Sequence, residues 1–341
     1  MVRWSDVRVP GAARRLLLAL LAALASAVAA SPAGAAGHAR HRLHAQHAPN
    51  AGIVDIYTKL GYEQGAAAGT GMILTHSGEV LTNNHVIAGA TSFRVVDVAT
   101  HRRYAATVVG YSVSRDVAVL QLAHASHLRT ISPGRSAVLR VGHPVVARGN
   151  ALGRGGRPAV ARGKVTGLHR QIVALDGAGG SEALTNLIAT NAPVRPGYSG
   201  GPLENARGRV VGMVTAGSSG AGHRAYAIPI TQALGIVRLI EAGTTTATVH
   251  VGPTAFLGVV LKNVPGGVAV VQVLPGSAAE SAGLVAGDVI TSLNGITVAS
   301  QTDVRQTLLQ LVPGTAVPLG WTDVAGIAQT GTITPAAGPP Q

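Results

Sequence analysis

A succession of short β-branched runs, each bounded by Gly, Pro or Asn, occupies the chain from Ile53 to about Ala233. The runs include GTGMILT, EVLTNNHVI, DVAVLQL, HPVVARG, ARGKVTGL and RVVGMVTAG. They recur at intervals of roughly 8 to 12 residues or slightly more, which is the spacing typical of a β-barrel or β-sandwich. Strand and helix patterns do not alternate here as they do in a parallel sheet. The region is therefore predicted to be all-β.

Composition limits both the size of the fold and the chemistry open to it. The 341 residues are 47% hydrophobic, which is enough to bury the cores of two ordinary domains. The 45 Gly and 18 Pro favour many short elements joined by tight turns. The chain contains no Cys, so disulfide scaffolds, thiolate metal sites and a cysteine nucleophile are excluded.

A helical pattern closes the all-β region. Residues 231–241 carry apolar side chains at helical spacing and are followed by Gly243, which predicts a helix at the end of a first domain over residues 52–243. Beyond it the pattern is mixed, and Ser300-Gln-Thr-Asp303 predicts a capped helix. The remaining segments are a Thr-rich linker at 244–252, a compact α+β module at 253–335 and a tail at 336–341.

The N-terminal segment has the layout of a secretory signal. Residues 16–30 form an apolar run after Arg14-Arg15 and before small-residue sites. The run is shorter than the roughly 20 apolar residues that a membrane-spanning helix needs. Residues 1–35 are therefore predicted to be a signal peptide or an N-terminal anchor, followed by a His-rich linker at 36–51. Both alternatives place the body outside the cytoplasm, secreted or in the cell envelope, with membrane association only if the segment is uncleaved.

The basic charge does not predict nucleic-acid binding. The formal net charge is +13, but the first 47 residues hold six Arg and one Asp, which leaves +8 for the remainder. A nucleic-acid site would want its basic residues clustered beside aromatic ones. Arg102, Arg154 and Arg162 instead lie in turn-like stretches. No nucleic-acid partner is predicted.

A His, an Asp and a Ser follow one another in three motifs of the β region. TNNHVI places His85 at the end of a strand, RDVAVL places Asp116 before one, and GYSGGP places Ser199 in a Gly-rich turn. A serine hydroxyl becomes nucleophilic when an imidazole takes its proton, and the imidazole needs a carboxylate to fix its tautomer. Each residue alone also fits an ordinary structural role. Their occurrence together, in this order, predicts nucleophilic catalysis by Ser199.

Two other activities share part of this pattern. GYSGG also matches the G-x-S-x-G elbow of α/β-hydrolases, but that fold orders its residues Ser, acid, His, and only His223 and His250 follow Ser199. RPAVARGKV comes near a phosphate-binding loop, but Pro158 stands where the first Gly belongs. ATP-driven action is therefore unsupported, and no cofactor is predicted.

The motifs taken in order resemble a known family. GTGMIL, LTNNHVIAGA, RDVAVLQL, ATNAPVRPGYSGGPL, VVGMVTA and AYAIPI are similar to the chymotrypsin-fold serine proteases of the HtrA/DegP family. FLGV and GDVITSLNG resemble a PDZ module. The resemblance covers roughly residues 52 to 335. It implies a trypsin-like protease domain of two six-stranded β-barrels over 52–243 and a PDZ domain over 253–335.

The resemblance also implies roles for the three residues. His85 would be the general base, Asp116 its orienting carboxylate and Ser199 the nucleophile. The backbone N–H groups of Gly197 and Ser199 would form the oxyanion hole. The implied protein is an ATP-independent secreted serine endopeptidase that cleaves unfolded or damaged proteins, in a family whose members often form homotrimers.

Tyr198 departs from the family pattern, which usually has Asn or Asp at this position. A bulky side chain beside the oxyanion hole would hinder the productive geometry of the peptide. A resting or inactive state is therefore an expectation for this chain.

The substrate pocket follows from the same resemblance. The residue six positions before the nucleophile commonly lies at the base of the pocket, and here it is Pro193. The strand Val214-Thr215-Ala216 would form a wall. This pocket contains no acid to pair with Lys or Arg, so cleavage is predicted after small or medium aliphatic residues.

The PDZ-like module supports a second hypothesis, a secreted protein that binds or holds peptides on a weakly active or resting protease scaffold. Its FLGV loop would supply backbone N–H groups to a terminal carboxylate, beside a groove between a strand edge and a helix. The intact set of three catalytic residue types argues against a pure scaffold. The predicted peptide-binding residues are Phe256, Leu257, Gly258, Val259, Val304 and Leu308.

Histidines recur at every third position of the N-terminal linker. A solvated spacer is the simpler interpretation. Cleavage after Ala35 would leave Ala36-Gly37-His38 at a new terminus, whose amine, backbone nitrogens and imidazole suit Cu(II) or Ni(II). His38 is therefore a candidate metal ligand that depends on processing, and no other metal site is predicted.

Overall fold

The short runs of the sequence become the strands of two barrels. The computed structural model describes residues 50–61, 65–175, 181–218 and 224–341. The elements of the first barrel are β1 (Ile53–Leu60), β2 (Gly65–Ile73), β3 (Glu79–Thr82), the one-turn helix α1 (Asn84–Ile87), β4 (Ser92–Asp97), β5 (Arg103–Ser112) and β6 (Val117–Leu122).

The first barrel closes through β6, which is hydrogen-bonded on both sides. The antiparallel order is β5-β4-β1-β2-β3-β6, and β6 returns to β5. Alternate side chains of β6 pack into two different cores. Ala118 and Leu120 point into the first barrel, whereas Val117 and Val119 pack into a core shared with the second barrel. A strand covered on both faces is apolar at every position, which explains the run VAVL.

The second barrel is also a closed ring of six strands, in the order β10-β11-β12-β9-β8-β7. Its strands are β7 (Pro144–Gly149), β8 (Ala159–Leu175), β9 (Ser181–Thr190), β10 (Pro202–Asn205), β11 (Val210–Ser218) and β12 (Arg224–Pro229). The structure therefore confirms the predicted double six-stranded barrel.

Helix α2 (Ile230–Glu241) follows the second barrel and confirms the helix predicted over 231–241. Its buried residues Ala233, Val237 and Ile240 recur at helical spacing. They pack into the core that both barrels share. The helix thus fixes one barrel against the other.

The C-terminal module is a five-strand antiparallel path, β15-β16-β17-β19-β20, with two helices. Its elements, together with a short strand that precedes them, are β13 (His250–Val251), β14 (Thr254–Phe256), β15 (Val259–Val264), β16 (Gly267–Val273), α3 (Ala278–Ser281), β17 (Val289–Leu293), β18 (Ile296–Thr297), α4 (Gln301–Leu308), β19 (Val317–Thr322), β20 (Ala328–Ile333) and β21 (Ala336–Gly338).

Helix α4 begins where the sequence predicts. The Ser300 side chain accepts a hydrogen bond from the Asp303 N–H, and the Asp303 carboxylate accepts one from the Ser300 N–H, which completes a capping box. Val304, Leu308 and Leu311 are buried in the core of the module. Strand β15 lies at the edge of the sheet, next to the start of α4.

Two segments differ from the prediction. Residues 244–252, expected to be a plain linker, contain β13, which pairs with β5 of the first barrel. Residues 336–341, expected to be a tail, contain β21, which pairs with β14. Beyond β21, the Pro340 carbonyl accepts a hydrogen bond from the Gly89 N–H at 2.8 Å. These pairings join residues far apart in the chain, which local composition does not reveal.

The N-terminal predictions fall outside the described residues. These are the signal peptide or anchor at 1–35 and the His-rich linker, including His38. Among the helices that the structure describes, none has the length and apolarity needed to cross a bilayer.

Candidate active site

The predicted His and Asp meet on the surface of the first barrel. His85 lies in α1, directly after β3, and Asp116 precedes β6, which pairs with β3. The Nδ1 atom of His85 lies 3.0 Å from both carboxylate oxygens of Asp116. The backbone N–H of His85 also donates to Asp116 Oδ1 at 3.0 Å. Because Nδ1–H donates its hydrogen bond to the carboxylate, Nε2 of the neutral ring is left unprotonated and can act as a base.

Two further side chains hold Asp116 in place. Thr215 Oγ1, on β11 of the second barrel, donates to Asp116 Oδ2. Asn83 Nδ2 donates to the Asp116 carbonyl at 2.9 Å. The Asp116 side chain is only 7% exposed, so these partners replace the water that it loses. The carboxylate is therefore fixed in position beside His85.

Opposing effects set the pKa of His85. Partial loss of solvent around the ring, whose side chain is still 42% exposed, lowers the pKa, whereas the charge of Asp116 and its hydrogen bond raise it by more. The net pKa of His85 lies above its ordinary value of 6.5. A base with a raised pKa binds the transferred proton more firmly and loses its basic form earlier as the solution is acidified.

Ser199 reaches the site from the second barrel. It lies in the nucleophile loop, residues 196–201, between β9 and β10. Its Oγ donates to the Thr215 carbonyl at 3.4 Å, and no hydrogen bond joins it to His85 in the described part of the chain. The single hydroxyl hydrogen must therefore leave the Thr215 carbonyl before it can be donated to Nε2. Such loose contacts are common in sites without substrate.

The oxyanion hole is open. Within the residues that the structure describes, neither the Gly197 N–H nor the Ser199 N–H donates a hydrogen bond. The Pro196 carbonyl accepts from the Leu152 N–H at 2.7 Å, so it is held away from these two donors. Gly197 has φ +95°, and a Cβ there would lie 1.9 Å from the Asn150 carbonyl oxygen. Glycine is thus required for this loop conformation.

Thr70 of β2 anchors the nucleophile loop to the first barrel. Its N–H donates to the Ser199 carbonyl at 2.8 Å, and its Oγ1 donates to the Gly197 carbonyl at 2.6 Å. The same Oγ1 accepts from the Asn150 N–H at 2.9 Å. Thr70 is fully buried. Both carbonyls are thereby turned away from the cleft, which leaves the N–H groups of Gly197 and Ser199 free.

Tyr198 does not obstruct the hole. Its side chain is 3% exposed and belongs to the apolar core of the second barrel. The expectation that its bulk would hinder the oxyanion hole is therefore wrong, because the chain turns the ring inward at this position. Its N–H donates to the Arg195 carbonyl, which completes a tight turn before the nucleophile.

The predicted pocket residues occupy different places. Pro193 is exposed, Val214 is buried in the second-barrel core, and Ala216 continues β11 opposite Tyr226. Thr215 instead donates a hydrogen bond to the carboxylate of Asp116.

Val194 reaches the β11 wall. A Cβ placed at Gly217 would lie 2.6 Å from Val194 Cγ2, so this valine covers the strand where the pocket was expected.

The FLGV loop presents backbone donors. The Leu257 carbonyl accepts from Ala279 N–H at 2.9 Å, and the Gly258 carbonyl accepts from Leu274 N–H at 2.8 Å. Within the described residues, the N–H groups of Leu257 and Gly258 donate no hydrogen bond. Both carbonyls of the loop are therefore tied to the domain, and its amides are free for an anion.

The other predicted groove residues face different ways. Phe256 lies in β14, and Val259 begins β15. Val304 and Leu308 of α4 are 2% and 5% exposed and point into the core. The helix flanks the groove, but these two side chains do not open onto it, because their spacing of four residues places both on the buried face of α4.

Thr70 and Asn83 take part in the site although no sequence motif indicated them, and Thr215 contacts Asp116 where a pocket wall was predicted. Thr70 is the middle residue of GTG, and Asn83 is one of two adjacent Asn before His85. Their partners lie 127 and 33 residues away, at Gly197 and Asp116. The only local signal was an unusual density of Thr and Asn beside the motifs.

Among the residues that the structure describes, no group of three or more His, Asp and Glu side chains is arranged to hold a metal. The chemistry that this arrangement can perform is nucleophilic attack by Ser199 on a carbonyl. In such an attack His85 would accept the proton, and the N–H groups of Gly197 and Ser199 would donate to the oxygen that becomes negative.

Comparison with known proteins identifies both parts of the chain. The trypsin-like peptidase domain family matches residues 69–213, a range that includes His85, Asp116 and Ser199. The PDZ domain family matches residues 255–322.

Relatives of this chain are named as serine proteases. The chain is 36% identical over 265 residues to the periplasmic pH-dependent serine endoprotease DegQ of Escherichia coli (strain K12), a match that covers 74% of this chain and 56% of the relative. It is 38% identical over 267 residues to a probable periplasmic serine protease, do/HhoA-like, of Haemophilus influenzae, covering 74% and 54% respectively. The chain thus spans about half the length of these curated relatives.

A solved structure matches both domains. The HtrA-type protease AlgW with tripeptide is 26% identical, has a TM-score of 0.51, and the match covers 85% of this chain and 94% of that chain.

Replacing Thr70 by Val should lower kcat/KM by between about tenfold and a hundredfold. The substitution removes the hydrogen bond to Gly197 and leaves the buried Asn150 N–H without a partner, a loss that costs about 1–3 kcal/mol. Thr70→Ser keeps the hydroxyl and should retain most activity. Rates on a chromogenic peptide, with thermal unfolding to verify folding, measure the difference. Equal rates for Thr70→Val and the unsubstituted protein would contradict the anchoring role.

The acid limb of the pH profile of kcat/KM should lie above pH 6.5, because protonated His85 cannot accept the serine proton and its pKa is raised. Asp116→Asn removes both effects that raise the pKa, so the limb should move to lower pH. The rate should also fall about 10⁴-fold, because the tautomer is no longer fixed. Rates measured from pH 5 to 9 test this. An acid limb at the same pH in both proteins would contradict the assignment to His85.

Proposed function

Because the chain belongs to the HtrA-type family of trypsin-like, PDZ-containing proteases, we propose that it is an ATP-independent serine endopeptidase that cleaves unfolded or damaged proteins. One observation carries the proposal. His85 is paired with Asp116 at 3.0 Å while the N–H groups of Gly197 and Ser199 are both free. Base and oxyanion donors are therefore present together, as hydrolysis of a peptide bond requires.

The proposed reaction begins with rotation of the Ser199 hydroxyl from the Thr215 carbonyl to His85 Nε2. Oγ attacks the substrate carbonyl as Nε2 takes its proton, and the oxyanion is bound by the two free N–H groups. Collapse breaks the C–N bond, and Nε2 returns the proton to the leaving amine. Water, deprotonated by the same Nε2, then attacks the acyl carbonyl, and collapse breaks the C–Oγ bond as Nε2 returns the proton to Oγ. Asp116 accepts the hydrogen bond from His85 Nδ1 throughout and stabilises the imidazolium.

The proposed preference is for cleavage after small or medium aliphatic residues. Val194 covers β11 at Gly217, and Ala192 and Val214 on either side are buried and apolar. A Lys or Arg side chain without a partner would lose several kcal/mol of hydration in such surroundings. An aliphatic side chain would gain roughly 1 to 3 kcal/mol by burial.

The C-terminal module is proposed to bind peptide C-termini. The free N–H groups of Leu257 and Gly258 are suited to a terminal carboxylate. The neighbouring edge of β15 can add the peptide as another strand. Peptide recognition would then bring unfolded chains to the protease.

The proposal also covers the location of the protein and its oligomeric state. The predicted signal or anchor at 1–35 and the periplasmic relatives both favour a site of action outside the cytoplasm. Assembly as a homotrimer follows from the family resemblance alone. The second candidate function, a peptide-binding protein with a resting protease scaffold, is favoured by the absence of a hydrogen bond between Ser199 and His85. The open oxyanion hole favours the enzyme.

Ser199→Ala should lower casein cleavage by several orders of magnitude, because only substrate binding and the oxyanion donors remain, worth about 10³- to 10⁴-fold over water. His85→Ala should behave similarly, since the residues act as a unit. A fluorophosphonate probe should label the unsubstituted protein and not Ser199→Ala. Undiminished casein cleavage by Ser199→Ala would rule out the proposed nucleophile, and absence of labelling would favour the resting scaffold.

A peptide library digested by the protein and analysed by mass spectrometry should contain cuts mainly after Val, Ala, Leu or Ile. The physical reason is the apolar wall at Val194. Val194→Asp should add cleavage after Arg and Lys by supplying the missing carboxylate. A dominant Arg or Lys preference in the unsubstituted protein would refute the pocket assignment.

Gly258→Ala should abolish binding of peptides with a free apolar C-terminus. Gly258 has φ +80°, and a Cβ there would lie 2.2 Å from Ser277 Cβ, so the loop must move. Gly266→Ala is the matched control, because Gly266 has φ +88° with nothing within 4 Å of the added atom. Fluorescence polarisation measures binding, and a C-terminally amidated peptide should bind neither protein. Equal binding by the amidated peptide would exclude a carboxylate site.

A further inference from the structure

The open edge of β15 has a definite register. The Gly258 carbonyl accepts from the Leu274 N–H, so this carbonyl points toward the neighbouring strand, whereas the Gly258 N–H, at a residue with φ +80°, donates no hydrogen bond. The next pair, Val259 and Val273, is then non-hydrogen-bonded. In such a pair the N–H and C=O groups point away from the partner strand. Val259 therefore directs its backbone groups toward the open edge beside α4.

The next outward-facing carbonyl of this edge is already occupied. Gln301, the first residue of α4, donates from Nε2 to the Leu261 carbonyl at 2.6 Å. A register shift between Val260 and Leu261 accompanies this arrangement. The Gln301 side chain therefore stands where an added strand would place its own N–H.

A second contact ties the start of α4 to the same strand. The Gln301 backbone N–H donates to Asn263 Oδ1 at 2.7 Å. This bond satisfies one of the amides that a helix N-terminus leaves without an intrahelical partner. It does not use the backbone of β15. The two contacts are thus separable: Asn263 positions the helix, and the Gln301 side chain occupies the strand edge.

The position of Leu261 relative to the loop defines which ligand residue is affected. A peptide added antiparallel to β15, with its carboxylate at Leu257 and Gly258, places its last residue beside Val259. Leu261 lies two positions after Val259 on β15. It faces the peptide residue two positions before the last one, which is the third residue from the C-terminus. The N–H of that third residue needs the Leu261 carbonyl as its acceptor.

We propose that Gln301 caps the peptide groove of the ligand-free protein, because its side-chain amide holds the acceptor needed by the third residue from the C-terminus of a bound peptide. This inference rests on the proposed peptide recognition. A ligand must displace the Gln301 amide before it pairs along β15 beyond Val259.

Substitution of Gln301 by Met tests the proposal, because Met keeps the size and helical preference of Gln and lacks the donor. The probe is a fluorescein-labelled pentapeptide, Gly-Ala-Thr-Ala-Val, with a free carboxylate. Binding is measured by fluorescence polarisation on the full chain carrying Ser199→Ala, so that the probe is not cleaved. Gln301→Met should bind it about three- to tenfold more tightly, the effect of one net hydrogen bond released from competition.

A second peptide probe tests whether the gain in affinity depends on the backbone N–H of the third residue from the C-terminus. In it the amide N–H of Thr, the third residue from the end, is replaced by an ester oxygen. This peptide cannot use the Leu261 carbonyl, so Gln301→Met should give no gain in its affinity. A gain of the same size for both probes would overturn the proposal, because the effect would not depend on the acceptor.

Two control variants separate capping from the folding of α4. Asn263→Ala removes the other contact between α4 and β15 and should not increase affinity. Gln301→Ala also removes the donor and should reproduce the gain of Gln301→Met. Thermal unfolding verifies that each variant is folded, so that one can replace the other if it is unstable. Unchanged or weaker pentapeptide binding by the folded Gln301 variants would overturn the capping role alone. Absence of pentapeptide binding by every variant and by the parent would overturn peptide recognition and the capping role together.

Discussion

A small set of hydrogen bonds between the two barrels determines whether the site exists. His85 and Asp116 belong to the first barrel and Ser199 to the second. Thr70 crosses from the first barrel to the backbone of the nucleophile loop, and Thr215 crosses back from the second to the Asp116 carboxylate. Each barrel thus contributes a threonine that fixes a group of the other. Apolar packing brings the barrels together, but these directional bonds set the geometry that a reaction needs.

Most of the fold could be predicted from the sequence because its signals are local. Spaced β-branched runs indicated the barrels, the 3.6-residue pattern of residues 231–241 indicated α2, and the Ser300 to Asp303 spacing indicated the cap of α4. The order of His85, Asp116 and Ser199 indicated the chemistry. In each case the residues that form the sequence pattern also make the contacts of the folded structure, so the prediction from the pattern agrees with the fold.

The remainder depended on contacts that no local pattern encodes. Tyr198 could be placed beside the oxyanion hole by sequence position, but its burial is decided by the turn that begins at the Arg195 carbonyl. The pairing of residues 336–338 with β14 joins segments about 80 residues apart, in a stretch with the composition of a tail. The contact of Gln301 with Leu261 depends on where α4 docks. Such features follow from tertiary packing.

The division of catalytic groups between the barrels also affects the newly made chain. Synthesis proceeds from the N-terminus, and domains fold as they emerge. The barrel that carries His85 and Asp116 is complete before residue 199 has been made. Ser199 acquires its flanking free amides only when β10 and β11 close the second ring around it. A chain synthesised only as far as β9 therefore contains His85 and Asp116 but lacks Ser199, the oxyanion donors and the Thr215 hydroxyl that holds the Asp116 carboxylate.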